Sequence, residues 1–151
     1  MMSSIVIRRA SSDDSKQLAR LFNDYRQFYE QPNNIDLAGS FIKARLLNHD
    51  STIFVATDAQ QKLIGFCQLY PTFCSVIAAP ICVLYDLFVD ASSRKVGAGK
   101  LLMLAAHEYA KANDFLRLDL TTAKTNLAAQ ALYESLGWVR DEVFYTYNKA
   151  I

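Results

Sequence analysis

The run Val83-Leu84-Tyr85-Asp86-Leu87-Phe88-Val89, continued by Asp90-Ala91-Ser92-Ser93-Arg94-Lys95-Val96-Gly97-Ala98-Gly99-Lys100, decides how this chain folds. Its first seven residues form the most apolar strand-like run in the chain, as expected for the middle of a sheet. Its second half holds two of the chain's five glycines, one residue apart, and leads into Leu101–Ala112, a helical segment rich in Leu, Met and Ala. A glycine-bearing loop that enters a helix presents unpaired N–H groups, and the helix dipole adds positive potential there. Such a place suits a phosphate or pyrophosphate, and Arg94, Lys95 and Lys100 add positive charge to it. A Walker A loop would need Gly at Arg94 and Ser or Thr at Leu101, and fails twice. A dinucleotide fingerprint would need Gly at Leu102 and a place after the first strand, and fails as well. What remains is R-x-x-G-x-G after an apolar strand deep in the chain.

Outward from this run, Leu116–Thr121 alternates with period 2 and reads as a strand parallel to 83–89, with helix 101–112 as the crossover. Upstream, Thr52–Ala56 and Leu63–Tyr70 flank the polar turn Asp58–Gln61 and make an antiparallel hairpin. Pro71 and Pro80 bracket a segment expected to be irregular. Ile5–Arg8 reads as a first strand. Ser11 or Ser12 offers an N-cap with Asp13 and Asp14 behind it, and Leu18, Leu21, Phe22 and Tyr25 mark one helix face running to Glu30, before Pro32. Leu37, Phe41, Ala44 or Arg45, and Leu46 suggest a second helix. Asn126–Leu136 is a helix closed by Gly137, and Val143–Tyr147 a last strand. The expected fold is mixed α/β over one domain, residues 1–151, with the order βααβββαβαβ.

A second constellation lies on the helix from Asn126. Asn126, Ala129, Gln130 and Tyr133 fall at i, i+3, i+4 and i+7, on one stripe. Ala129 lets an extended ligand lie close, Asn126 can pair with its amides, and the Tyr133 phenol can supply a proton. Gln130 either borders that ligand or faces solvent.

Composition excludes several classes. Hydrophobic residues make up 52% and charged residues 21% of 151, the profile of a packed core rather than a disordered tail. The formal charge of +1 supplies no field for a nucleic-acid backbone. Cys67, Cys74 and Cys82 are spaced by seven and eight residues, without the pairs a zinc site needs, so no metal is expected. They read as buried thiols in a reducing compartment, or else as thiols lining a pocket. No membrane span and no signal-like N-terminus stand out, and a cytoplasmic protein is expected.

Taken together, the two constellations resemble the GNAT superfamily of N-acetyltransferases across essentially the whole chain. Arg94, Gly97 and Gly99 match its Q/R-x-x-G-x-G/A loop. Asn126, Ala129, Tyr133, Gly137 and Trp138 match its later Asn-x-x-Ala-x-x-x-Tyr…Gly-Phe/Trp motif. The resemblance implies a mostly antiparallel sheet with a splayed parallel pair. It implies acetyl-CoA as cosubstrate, with its pyrophosphate on Lys95, Val96, Gly97, Ala98, Gly99 and Lys100. By the same resemblance the backbones of Leu87, Phe88 and Val89 meet the pantetheine arm like an added strand, and an amide there polarises the thioester carbonyl. Asn126 and Ala129 would border the arm, and Tyr133 would protonate the leaving thiolate.

The acceptor implied is a primary amine: a small amine or polyamine, an amino acid or a peptide. Strand 83–89 and the segment Tyr25–Glu30 look like the diamine and polyamine branch, and like the small yeast histone and polyamine acetyltransferases. The diamine enzymes, however, have Glu where Tyr85 stands. Period 2 sends Tyr85 and Asp86 to opposite faces, leaving Asp86 as base or amine anchor. Tyr29, Glu30 and Tyr85 are the candidate acceptor residues, and Tyr25, Phe28, Tyr70 and Phe73 could extend an aromatic wall, with Tyr25 and Phe28 equally readable as core. A CoA-binding regulatory module without catalysis is the alternative. A homodimer is also expected by resemblance.

Overall fold

The computed structural model describes residues 4–151, so the part of the leader reading that rests on Met1–Ser3 lies outside it. Two compact units are present, one through Leu120 and one of Thr121–Ile151, and each is described by itself.

The first unit is a five-stranded sheet in the order β1-β2-β3-β4-β5. The strands are β1 (Val6–Arg9), β2 (Thr52–Thr57), β3 (Leu63–Cys74), β4 (Ala79–Val89) and β5 (Leu118–Asp119). All neighbours are antiparallel except β4 and β5, joined by α3 (Ala98–Ala112). The mixed sheet expected from the sequence is therefore present.

The helices α1 (Ser15–Phe28) and α2 (Ile35–Asn48) cover one face. Leu18, Leu21, Phe22, Ala38 and Ile42 close there on Ile53, Val55, Leu63, Phe66 and Phe88. Burying each large side chain contributes about 1.5–3 kcal/mol. Cys67 is next to Phe66 in an extended strand and so points to the opposite face. Its Sγ lies 3.8 Å from the Leu102 carbonyl, which puts α3 on that side. Asp14 fixes the entry to α1: it accepts from the Ser11 N–H at 2.8 Å and from Arg8 in a two-pronged ion pair.

Three expectations change. The segment between Pro71 and Pro80 is not irregular: β3 runs on to Cys74 and β4 begins at Ala79. Both prolines sit where no sheet bond is lost. The Cys82 N–H donates to Arg117, so Cys82 and its opposite Pro71 turn their backbones away from each other, and β2 has already ended against Leu69. Pro80 offers only its carbonyl, which accepts from Leu116 N–H. Second, β5 is two residues long rather than six. Third, Val143–Tyr147 forms no strand: the Asp141 carboxylate takes the N–H groups of Val143 and Phe144, each at 3.1 Å, in a local turn.

β3 and β4 approach closely at Gly65. A Cβ there would meet the Phe88 carbonyl oxygen at 2.9 Å and Val89 Cγ2 at 3.3 Å. Because the first obstacle is backbone, Gly65→Ala should destabilise by about 1–3 kcal/mol, read as a lower urea midpoint. An unchanged midpoint would contradict this packing.

Candidate active site

In β4, Gln68 faces Asp86 but Leu69 faces Leu84, so Tyr85 is an extra residue, a β-bulge. The bulge reverses the direction of the backbone groups. Before it, Pro80 and Cys82 bond toward the β5 side. After it, Asp90 N–H donates to Ile64 on β3, so Phe88 and Asp86 also face β3 while Leu87 and Val89 face away. β5 pairs only with Cys82 and Val83, which leaves Leu87 and the Val89 N–H on an open main-chain edge, the Val89 carbonyl being taken by Arg94 Nε. Of the three residues expected to offer their backbones there, Phe88 turns its own to Phe66 and buries its ring in the core.

The bulge also breaks the expected alternation of Tyr85 and Asp86. Gln68 and Tyr70 share a face of β3; Asp86 bonds Gln68, and the Tyr85 ring packs on Tyr70 at 5.7 Å. Both β4 side chains therefore reach the α1 side. Asp86 is only 3% exposed, whereas Tyr85 is 65% exposed. Gln68 Nε2 donates to Asp86 Oδ2, and Ser51 Oγ donates to Gln68 Oε1 at 2.7 Å. The Tyr25 hydroxyl, from α1, donates to the Tyr85 carbonyl at 3.2 Å, beside the carboxylate. Burial holds the Asp86 carboxyl above the usual carboxylate range, opposed by the Gln68 bond and the nearby Tyr25 hydroxyl. Burial and then the Asp86 charge raise Tyr25, Tyr29 and Tyr70 in turn.

Tyr29 packs edge-on against Tyr25, with ring centroids 5.2 Å apart. Glu30 follows the helix, exposed, with φ 64°. Sequence reasoning missed Gln68 and Ser51. Gln68 was the one visible signal, a lone long polar side chain in the apolar run Leu63–Tyr70.

The glycine loop turns through left-handed Lys95 (φ 68°) and Gly97 (φ 86°), and α3 begins at Ala98, three residues before the expected Leu101. Gly99 and Lys100 thus lie in the first helical turn, and Leu101 N–H is already bonded to the Gly97 carbonyl at 3.1 Å. The amides of Ala98, Gly99 and Lys100 precede that first helical bond and suit an anion. Arg94 is engaged within its own unit. Its guanidinium lies over the Phe28 and Phe88 rings at 5.8 and 5.6 Å, and its Nε donates to the Val89 carbonyl at 3.1 Å.

In the second unit, α4 (Leu127–Ser135) starts one residue later than expected because Asn126 is its N-cap, accepting from Ala129 N–H at 3.2 Å. Its side-chain NH₂ stays available as a donor. The Gln130 side-chain amide donates to the carbonyls of Ala123 and Lys124, each at 3.1 Å. Gly137, at φ 90°, ends the helix. Trp138 N–H reaches the Tyr133 carbonyl and Gly137 N–H that of Glu134, each at 3.1 Å, which seats the Trp138 ring 6.3 Å from Tyr133.

Cys67 and Cys82 are buried thiols, pushed up to about 12 and about 11 mainly by burial, whereas Cys74 is half-buried. Among the described residues no group of His, Cys, Asp or Glu gathers as a metal site, and no helix is long and apolar enough to cross a membrane.

A bulged central strand thus leads through a glycine turn into a helix N-terminus whose free amides suit an anion. Residues 17–138 match the model of the acetyltransferase (GNAT) family, and the chain belongs to that family. It is 45% identical over 141 residues to an uncharacterized N-acetyltransferase, YhfO, of Bacillus subtilis, covering 93% of this chain and 94% of that one. It is 29% identical to a probable acetyltransferase of Haemophilus influenzae, over 79% and 77% of the two chains. A crystal structure of a probable acetyltransferase superposes with a TM-score of 0.90 at 31% identity, covering 97% of each chain. The protein is thus an acyltransferase, and enzymes of this family generally use acetyl-CoA.

Proposed function

We propose that this chain is an acetyl-CoA-dependent N-acetyltransferase that passes the acetyl group directly to a primary amine, that of a small amine or polyamine, an amino acid or a peptide. The observation that carries the reading is the bulge at Tyr85, which gives β4 an open edge and a buried carboxylate one residue apart. The residues fit acetyl-CoA. The amides of residues 95–100 suit the pyrophosphate, and Leu87, with the Val89 N–H, offers main-chain groups to an extended amide-bearing arm. When bound, acetyl-CoA supplies an activated acyl group.

This chain's own residues do the rest. The Leu87 N–H, on the open edge, stabilises charge on the acyl oxygen. Asp86 receives the proton that the amine must lose, since free alkylamines have pKa values of about 10.4. Tyr29 and Tyr85 wall the acceptor, with Glu30 at the rim. By the family motif they match, Asn126 and Ala129 would border the arm and Tyr133 would give its phenolic proton to the departing sulfur.

Thiol release tests the reading, screened over polyamines, amino acids, aminoglycosides and peptides. Release with a primary amine supports it; CoA binding without release leaves a binding module. Tyr133→Phe keeps the ring against Trp138 and removes only the hydroxyl. It should lower kcat by ~10²-fold with the KM for acetyl-CoA nearly unchanged. A thiol needs little help to leave, so the loss falls at the low end for acid catalysis. Unchanged kcat where chemistry limits turnover would reduce Tyr133 to packing.

A further inference from the structure

We infer that Gln68, anchored by Ser51, is the positioning residue of the active-site base: it holds Oδ2 of Asp86 and leaves Oδ1 to take the acceptor's proton. The inference rests on the reading of Asp86 as that base and adds what fixes a buried carboxylate in its working form. Sheet register brings the two side chains together. Gln68 and Asp86 stand directly opposite each other on β3 and β4, at the pair next to the bulge. Both are buried, at 0% and 3% exposure, so the polar atoms of each need partners. Gln68 Nε2 donates to Asp86 Oδ2, and the Ser51 hydroxyl donates to Gln68 Oε1 at 2.7 Å. Asp50, next to Ser51, is itself held by Arg45 at 2.8 Å.

The direction of this chain of bonds follows from what each group can offer. An amide side chain has a donor end and an acceptor end, whereas an ionised carboxylate only accepts. The donor end must therefore face Asp86, and the acceptor end takes its hydrogen from Ser51. Turned over, the amide would set Oε1 against the carboxylate, an arrangement open only to a protonated Asp86. The bonds as built favour the ionised form, the one that can act as a base. No Lys, Arg or His pairs with Asp86 among the described residues, so this task falls to a neutral donor.

With Oδ2 occupied, Oδ1 takes one proton from the amine nitrogen, directly or through one water. The nitrogen lone pair forms the bond to the acyl carbon, and the carbon–sulfur pair leaves with sulfur. The other titratable groups bearing on Asp86 or its neighbours are Tyr25 and Tyr29 from α1, Cys67 and Tyr70 from β3, and Tyr85 from β4. Arg45 and Asp50 act on Tyr70, with opposite signs.

Gln68→Met is the test, because it keeps the length of the side chain and removes both amide ends. The acid limb of kcat/KM should move up by about one to two pH units, the worth of a hydrogen bond to a charged group. The rate lost below the limb should return as the pH is raised, at unchanged KM for acetyl-CoA. A loss equal at every pH would mean a merely structural role and overturns the inference. Carbon-13 NMR titration of the free protein, following the carboxyl signal that Asp86→Asn removes, should show the same upward move. Ser51→Ala should move both readouts the same way by less, and Ser51→Thr, which keeps the hydroxyl, should leave them as in wild type. An Asp86 signal that titrates unmoved in Gln68→Met overturns the inference; if that variant does not fold, an unmoved signal in Ser51→Ala does so. If the signal moves and the acid limb does not, the hold on Asp86 stands and Asp86 is not the base. If wild type acetylates no amine, the proposed activity falls, and the NMR titration still decides whether Gln68 governs Asp86.

Discussion

Asp86→Asn is expected to lower kcat by ~10²–10⁴-fold while raising the thermal midpoint at neutral pH. The first effect follows if the carboxylate takes the amine's proton, since an amide cannot. The second follows from burial. The folded Asp86 carboxyl holds its proton more tightly than an unfolded one, because desolvation outweighs the Gln68 bond and the nearby Tyr25 hydroxyl. A carboxyl raised in this way contributes stability that is fully present below the unfolded value of about 3.9 and lost as pH rises through the folded value. Above that, the fold carries an ionised group in a dry place, and Asn relieves it. Asn also keeps the bonds: its oxygen accepts from Gln68, and Tyr25 still has the Tyr85 carbonyl at 3.2 Å. Melting curves at pH 5 and pH 8 check the sign, with the larger gain at pH 8. A lower midpoint at pH 8 would mean that the carboxylate is a stabilising part of the core. The same shift places the acid limb of wild-type kcat/KM above the ordinary carboxylate range.

The contrast between Asp86 and its neighbour shows how far sequence could be read here. Periodicity placed α1, the β2–β3 hairpin and β4, because each buries one face and repeats the matching period. It failed at Tyr85, where one extra residue reversed the backbone direction along β4. No composition rule marks a bulge, since any residue can occupy it. The consequence was large: two side chains expected on opposite faces came to one cluster, and a Tyr25 equally readable as core set its hydroxyl on the Tyr85 carbonyl beside the acid. The loop was more legible. Its glycines and the helix after it could be read directly, yet the helix start at Ala98 and the seat of Arg94 between two rings depended on contacts distant in sequence. The last expected strand was lost for a local reason, an aspartate that claims two backbone N–H groups for a turn.

Gly97→Val should abolish the thermal shift produced by CoA, with a smaller loss of stability in the free protein. Gly97 sits at φ 86° immediately before α3, and a Cβ there would meet nothing within 4 Å. The harm is therefore conformational rather than steric. A β-branched residue is a strong outlier in the left-handed region, and holding one there costs about 1–3 kcal/mol. The loop is exposed around this residue, so the chain escapes the strain by turning the Gly97 peptide rather than by unfolding. That turn moves the amides of Ala98, Gly99 and Lys100 out of the aim they share on an anion. Binding then falls by far more than the strain itself, because several charge-assisted bonds fail at once. Gly97→Ala should give a partial loss, since its single methyl tolerates the region better. Arg94→Ala should weaken binding less than Gly97→Val, because the Arg94 guanidinium is already engaged by Phe28, Phe88 and the Val89 carbonyl. A bound ligand at 100 times its Kd stabilises by about 2.7 kcal/mol, well within reach of a thermal-shift titration. A full CoA shift in Gly97→Val would move the pyrophosphate away from this loop.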